Sequence, residues 1–256
     1  MRILLKVSYD GTAYHGWQMQ PGEPETIEGR LNRCLTELTG AQTEVIGCSR
    51  TDAGVHSKGN ICVFDTSSGI PPERYVTALN GILPTDIRVL DSFRVDDCFH
   101  PRHTDTRKTY CYRFYHGDIC PPFERLYRHH VYGPIDTDAM QRAASAFKGE
   151  HDFAAFCAAG SQAETTVRTI YDVVVKRAAA DPLSEYIDKY ITGGGFLYNM
   201  VRIIAGTLLE VGRGRIAPED IPDVIDSCDR SRTGPTLPAC GLTLERIDFD
   251  GGIPAV

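Results

Sequence analysis

The sequence predicts a mixed α+β protein of two ferredoxin-like β-α-β-β-α-β lobes. Their antiparallel sheets would join side by side, with helices on one face and an active-site cleft between the lobes. Three observations predict this. Alternating apolar residues and apolar residues at helical spacing follow one another in that order through an N-terminal lobe, residues 1–103. The order returns in a C-terminal lobe, residues 104–256, as topology without close sequence self-similarity. A chain of 256 residues, 42% apolar and 24% charged, is also long enough for two ordinary globular domains.

Each element has its own signal. Ile3, Leu5, Val7 and Tyr9 alternate with Lys6 and Ser8, as in a strand. Ile27, Leu31, Cys34, Leu35 and Leu38 recur at helical spacing, with Thr26 as N-cap and Gly40 as stop. Residues 44–48 and 60–66 read as strands on either side of a loop, 50–58. Pro71 and Pro72 open a second helix through Tyr75, Val76 and Leu79, and residues 86–95 close the lobe as a strand. The boundary falls within 99–106, where Pro101 and polar residues interrupt the strands. In the second lobe residues 108–115 form a strand with Tyr110, Tyr112 and Phe114 on one side. Asp136 or Thr137 caps a helix running through Met140, Ala143, Ala144 and Phe147 to Gly149. Residues 167–176 and 185–192 are strands, separated by the small and polar stretch 178–184. Residues 196–211 form an apolar helix ended by Gly212. An inserted short helix near 218–228 and a strand over 242–249 complete the order.

Composition narrows the function. No apolar run approaches the roughly 20 residues of a membrane span, and the N-terminus does not read as a secretory signal. The expectation is a soluble cytoplasmic protein with no membrane partner. The nine cysteines include no C-x-x-C pair, and His129 and His130 are adjacent. Reduced, structural thiols are expected rather than a metal site. The net charge of −7 argues mildly against a nucleic-acid partner. Its distribution argues the other way. Between Arg94 and Arg128 basic and aromatic residues interleave, among them Arg102, Arg107, Lys108, Tyr110, Arg113 and Arg125, and Arg202, Arg213 and Arg215 follow. Acidic residues gather elsewhere, at Glu23, Glu25 and Glu28 and from Asp220 to Asp229. The pattern suits a local basic cleft on an acidic body.

The most unusual segment is Ser49-Arg50-Thr51-Asp52-Ala53-Gly54-Val55-His56. Asp and Gly are ordinary turn residues, and composition alone favours a turn. Arg50 and Asp52 lie two apart and can face one side of an extended stretch, with His56 and Lys58 nearby. The loop is too long for a tight hairpin, and functional groups often sit on loops held by a rigid scaffold. Taken alone these residues leave open an RNA-binding module without catalysis and a carboxylate-dependent hydrolase, beside the RNA-modifying isomerase that a family resemblance implies. A pure binder has no use for a carboxylate facing phosphates. A hydrolase wants a second acid, whereas Asp10 and Asp65 read as strand ends.

The stretch Arg50 to His56 resembles the catalytic motif of the tRNA pseudouridine synthase A family. Further segments resemble that family in collinear order: Tyr9-Asp10-Gly11-Thr12, Gly16-Trp17-Gln18, Leu79-Asn80, Leu83-Pro84, Phe99-His100-Pro101-Arg102, Lys108-Thr109-Tyr110-Cys111-Tyr112, Phe196 to Arg202, Glu210-Val211-Gly212 and Gly241-Leu242. The resemblance implies isomerisation of uridine to pseudouridine in the tRNA anticodon stem-loop by a homodimer, with no cofactor and no metal. It implies Asp52 as nucleophile, Arg202 as its ion-pair partner and Tyr110 against the target uracil. Arg50, Thr51, His56 and Arg102, with Tyr110, would bind substrate; Trp17 would serve packing. Ser49 stands where the family pattern has glycine, and Tyr198-Asn199 where it often carries histidines.

Overall fold

The computed structural model describes residues 1–20, 22 and 25–253, so Glu23 of the acidic group lies outside the described residues. Among those described, ten strands and five α-helices follow in the order β1 (Arg2–Tyr9), α1 (Ile27–Thr39), β2 (Ile46–Gly47), β3 (His56–Asp65), α2 (Tyr75–Ile82), β4 (Ile87–Val95), β5 (Thr106–His116), β6 (His129–Val131), α3 (Thr137–Ala144), β7 (Gly149–Asp152), β8 (Val167–Asp181), β9 (Ser184–Gly193), α4 (Met200–Gly212), α5 (Ile221–Asp226) and β10 (Leu242–Phe249). The chain is thus mixed α+β. It divides into two compact units, one of Met1–Thr106 with Leu244–Val256, the other of Arg107–Thr243.

In the first unit the strands run β4-β1-β3-β10, with β2 also against β3. β1 is antiparallel to both its neighbours, Arg2 opposite Asp65 on one side and Val95 on the other. Its run Ile3-Leu4-Leu5 is continuously apolar because both faces of the sheet are covered. Ile3, Leu5, Val7 and Tyr9 share a core with Ile27, Leu31 and Leu35 of α1 and Tyr75 and Leu79 of α2. Leu4 packs on the opposite face with Ile61, Val63, Val95, Phe99 and Phe249. α1 begins where Thr26 Oγ1 accepts the N–H of Gly29 at 3.1 Å. It stops at Gly40, whose φ of 70° is a left-handed conformation that glycine adopts without strain.

The strand expected over 44–48 shrinks to β2. The N–H of Val45 is taken by Asn32 Oδ1 at 2.8 Å and that of Thr43 by Thr36 Oγ1 at 3.1 Å, which ties this stretch to α1 instead of the sheet. β3 begins at His56, four residues before expectation, and shortens the loop. The first unit extends to Thr106 and takes back the chain from Leu244. There the Phe249 ring lies 5.5 Å from that of Phe99, and Lys58 Nζ meets Glu245 Oε2 at 3.0 Å.

In the second unit the order is β5-β9-β8-β7, with β6 parallel to β5. The side chain of Asp136, not Thr137, caps α3 by accepting the Ala139 N–H at 2.8 Å. β8 runs on through Ala178, Ala179 and Ala180 to Asp181, because pairing with Tyr186 and Glu185 of β9 uses backbone groups that any residue supplies. α4 starts at Met200 rather than 196, since Asn199 adopts a left-handed φ of 60° that a helix cannot include. Within α4 a Cβ on Gly206 would stand 2.0 Å from the Pro235 carbonyl oxygen, so only glycine permits this backbone approach.

One core residue of this unit is a lysine. Lys189 on β9 is fully buried. Its Nζ donates to the Ile187 carbonyl at 3.0 Å and sits 2.9 Å from the centre of the Phe114 ring. Burial holds its pKa well below the usual lysine value.

Candidate active site

The loop from Ser49 to Val55 is a built structure. Asp52, Ala53, Gly54 and Val55 form a turn closed by the Val55 N–H on the Asp52 carbonyl at 3.1 Å. Gly54 has a φ of 77°, as the third position of a type II turn requires. A second segment, residues 10–17, braces the turn from behind. The N–H groups of Trp17 and Gly54 bond to the carbonyls of Thr51 at 2.9 Å and Tyr14 at 3.2 Å. A Cβ on Gly11 would stand 2.1 Å from the Val55 carbonyl oxygen, so the two segments touch backbone to backbone. Trp17 is wholly buried beneath, a packing residue.

Two buried polar side chains hold the loop on either side of Arg50. Asn60 Oδ1 accepts the Ser49 N–H at 3.3 Å, and its Nδ2 donates to the Ser49 carbonyl at 2.8 Å. Tyr9 Oη and Thr51 Oγ1 share a hydrogen bond of 2.8 Å. Burial raises the Tyr9 hydroxyl to about 12, so it stays protonated. Thr51 therefore turns inward and fixes the backbone. Arg50 is exposed, and Asp52 is half-buried. His56 is buried, with Nδ1 3.1 Å from both the Gly11 nitrogen and Asp10 Oδ1. That nitrogen accepts from Gly11 when unprotonated and donates to Asp10 when protonated, but does not do both.

Arg102 reaches the same side of this unit. Its Nε donates to the Gly47 carbonyl at 2.8 Å. Burial, and then the positive charge of Arg50, pull it below the usual guanidinium value. Glu28 is buried nearby and accepts the Met19 N–H at 2.7 Å. Burial pushes its carboxyl up, against the charges of Arg102 and Arg50. Two arginines whose charges repel one another form a local positive field, suited to an anion such as a phosphate.

Tyr110 and Arg202 belong to the second unit. Tyr110 is buried on β5, its ring edge-on to Phe196 at 5.2 Å. Arg202 lies in the first turn of α4. Its Nε donates to the Leu237 carbonyl and its Nη1 to Asn199 Oδ1, both at 2.6 Å. Other members of the basic run are engaged with acids. Arg128 pairs with Asp188 at 2.6 Å and Glu124 at 3.2 Å and lies over the Tyr186 ring; Arg213 and Arg215 share Glu210. The basic run is thus partly structural.

Sequence patterns missed the supports: Tyr9, Asn60 and Asn199. A signal existed for Asn60, a polar residue at the head of an apolar strand, and for Asn199, a residue type that tolerates left-handed backbone just before a helix.

Comparison with known proteins shows the family of the chain. The family model for tRNA pseudouridine synthase matches residues 6–103 and 143–250. The chain is 45% identical over 247 residues to a tRNA pseudouridine synthase A of Caldicellulosiruptor bescii, covering 96% of this chain and 99% of that protein. It is 46% identical over 248 residues to the tRNA pseudouridine synthase A of Acetivibrio thermocellus, with the same coverage. A protein named tRNA pseudouridine synthase A 2, from Clostridium perfringens, is 43% identical over 247 residues, 96% of this chain and 99% of its own length. The chain belongs to the tRNA pseudouridine synthase family, a family of isomerases.

Proposed function

We propose that the protein converts uridine to pseudouridine in the anticodon stem-loop of tRNA, with Asp52 as nucleophile. The carrying observation is a half-buried carboxylate on a loop whose backbone is fixed at Ser49, Thr51 and Val55, beside an exposed Arg50. The names of the relatives support tRNA as substrate. Asp52 attacks either C1′ of the ribose or C6 of the uracil, and the bond from C1′ to N1 breaks. The base turns, C5 bonds to C1′, the C5 proton leaves, N1 gains a proton, and the carboxylate departs. The product is an isomer of the substrate, so the reaction consumes no redox cofactor and no metal is invoked.

In this reading Arg202 pairs with Asp52 and keeps it ionised. Tyr110 lies against the uracil and assists removal of the C5 proton. Arg50 and Arg102 take the phosphates around a nucleotide drawn out of its stack, with Thr51 and His56 fixing the loop they work from. Each unit is read as a ferredoxin-like lobe. The protein acts in the cytoplasm as a homodimer; the strongly exposed Ile119 and Phe123, 82% and 90% accessible, support a self-association surface.

The assay is tritium release from tRNA labelled at uracil C5. Asp52→Ala is expected to abolish release while tRNA binding persists; undiminished release would end the assignment. Arg202→Ala is expected to remove activity and keep the fold. Tyr110→Phe is expected to slow turnover, and a wild-type rate would remove Tyr110 from the mechanism. Phe123→Asp is expected to yield a monomer by light scattering.

A further inference from the structure

Arg202 is seated in a way that the proposed chemistry does not explain by itself. Asn199 occupies the N-cap of α4, where an Asn side chain ordinarily accepts a backbone N–H of the first turn. Here it makes no capping bond. Its Oδ1 instead accepts Arg202 Nη1 at 2.6 Å, from a backbone held at a φ of 60°. A left-handed asparagine that forgoes its capping bond carries a cost, and the arginine is what it reaches.

The other side of the seat is the segment Leu237-Pro238. Leu237 accepts Arg202 Nε at 2.6 Å through its carbonyl, and the next carbonyl, that of Pro238, accepts the Tyr112 hydroxyl at 2.7 Å. Tyr112 is wholly buried on β5, two residues from Tyr110 and on the same side of the strand. Its ring passes over Gly241, where a Cβ would stand 2.7 Å from Cζ. One strand therefore carries Tyr110 and also pins the segment that holds the Arg202 guanidinium.

We propose that Asn199 and Tyr112 are positioning residues, which set the direction of the Arg202 guanidinium from two sides and hold it in register with Tyr110. The proposal rests on the catalytic reading of Arg202. Neither residue needs to touch substrate. A guanidinium held at two nitrogens loses its freedom to swing, and misplacement of a charged group by about 1 Å is enough to cost an enzyme orders of magnitude in rate.

Three variants test it in the tritium-release assay. Asn199→Gly tolerates the left-handed backbone and deletes the acceptor. Asn199→Asp keeps an acceptor oxygen at the same place. Tyr112→Phe keeps the ring and deletes the hydroxyl. Asn199→Gly and Tyr112→Phe are expected to lower kcat about tenfold or more with KM for tRNA within about twofold of wild type, while Asn199→Asp restores most of kcat. Full kcat in both deletion variants, beside an inactive Arg202→Ala, would overturn the socket alone. An active Arg202→Ala would overturn the role of Arg202 and the socket with it. Equal impairment of Asn199→Asp and Asn199→Gly, or a rise in KM without loss of kcat, would also overturn it.

Discussion

At the scale of single residues, the loop bearing Asp52 depends on backbone and buried contacts beneath it. Gly11 is the sharpest case. Any side chain there meets the Val55 carbonyl oxygen, a backbone atom, which yields only if the whole turn moves. Gly11→Ala is expected to cut tritium release at least about a hundredfold while tRNA still binds, because the carboxylate is displaced rather than removed. Tyr9→Phe acts more gently. It strips Thr51 Oγ1 of its 2.8 Å partner inside the core, at a cost of about 1–2 kcal/mol. Calorimetry is expected to show a melting temperature lower by a few degrees. Neither outcome was legible in the sequence, where Tyr9 and Gly11 stand in a segment that resembles the family's but give no sign of what they touch. Their importance lies in contacts some forty residues away along the chain.

At the scale of elements, Lys189 makes β9 less stable than it has to be. A buried amine with a depressed pKa binds its proton more weakly in the folded state than in the unfolded one. Folding is therefore disfavoured below the unfolded pKa of about 10.4, and stability rises with pH from the folded pKa up to that value. Lys189→Met is expected to raise the melting temperature at pH 7 by about 3 °C or more, and the gain is expected to shrink as the pH approaches about 10. His129 of β6 adds an acid limb. Burial, and then the charge of Lys189, hold it down to about 4, so it folds neutral. The stability this contributes is present above the unfolded value of about 6.5 and is lost as the pH falls to 4. Denaturant titration of His129→Gln is expected to show a flatter loss across that window. The elements themselves were legible wherever a periodic pattern met a cap, as in α1 between Thr26 and Gly40. Legibility failed where long-range contacts decide. β2 is short because Asn32 and Thr36 claim its neighbours, and Arg128 is spent on Asp188; the start of α4 at Met200 turns instead on the left-handed backbone of Asn199. The short β6 and β7 carry too few residues for any period to register.

At the scale of the whole molecule, an acidic chain of net charge −7 is expected to bind a polyanion through local fields. Affinity for tRNA is expected to fall about tenfold or more between about 50 and 200 mM salt; a flat response would count against Arg50 and Arg102 as phosphate contacts. The candidate site was legible here only in part, because the sequence marks the charged residues but not which of them an acid has already claimed. The division of the chain carries a consequence for synthesis. The first unit holds Met1–Thr106 but also Leu244–Val256, and Phe249 fills the face that Leu4, Val63 and Phe99 share. On the ribosome, the part made first stays unfinished until the final strand emerges, with an apolar face open to water throughout elongation. A fragment ending at Thr106 is expected to bind hydrophobic dyes and lose amide protection, and a peptide of residues 244–253 to reverse both.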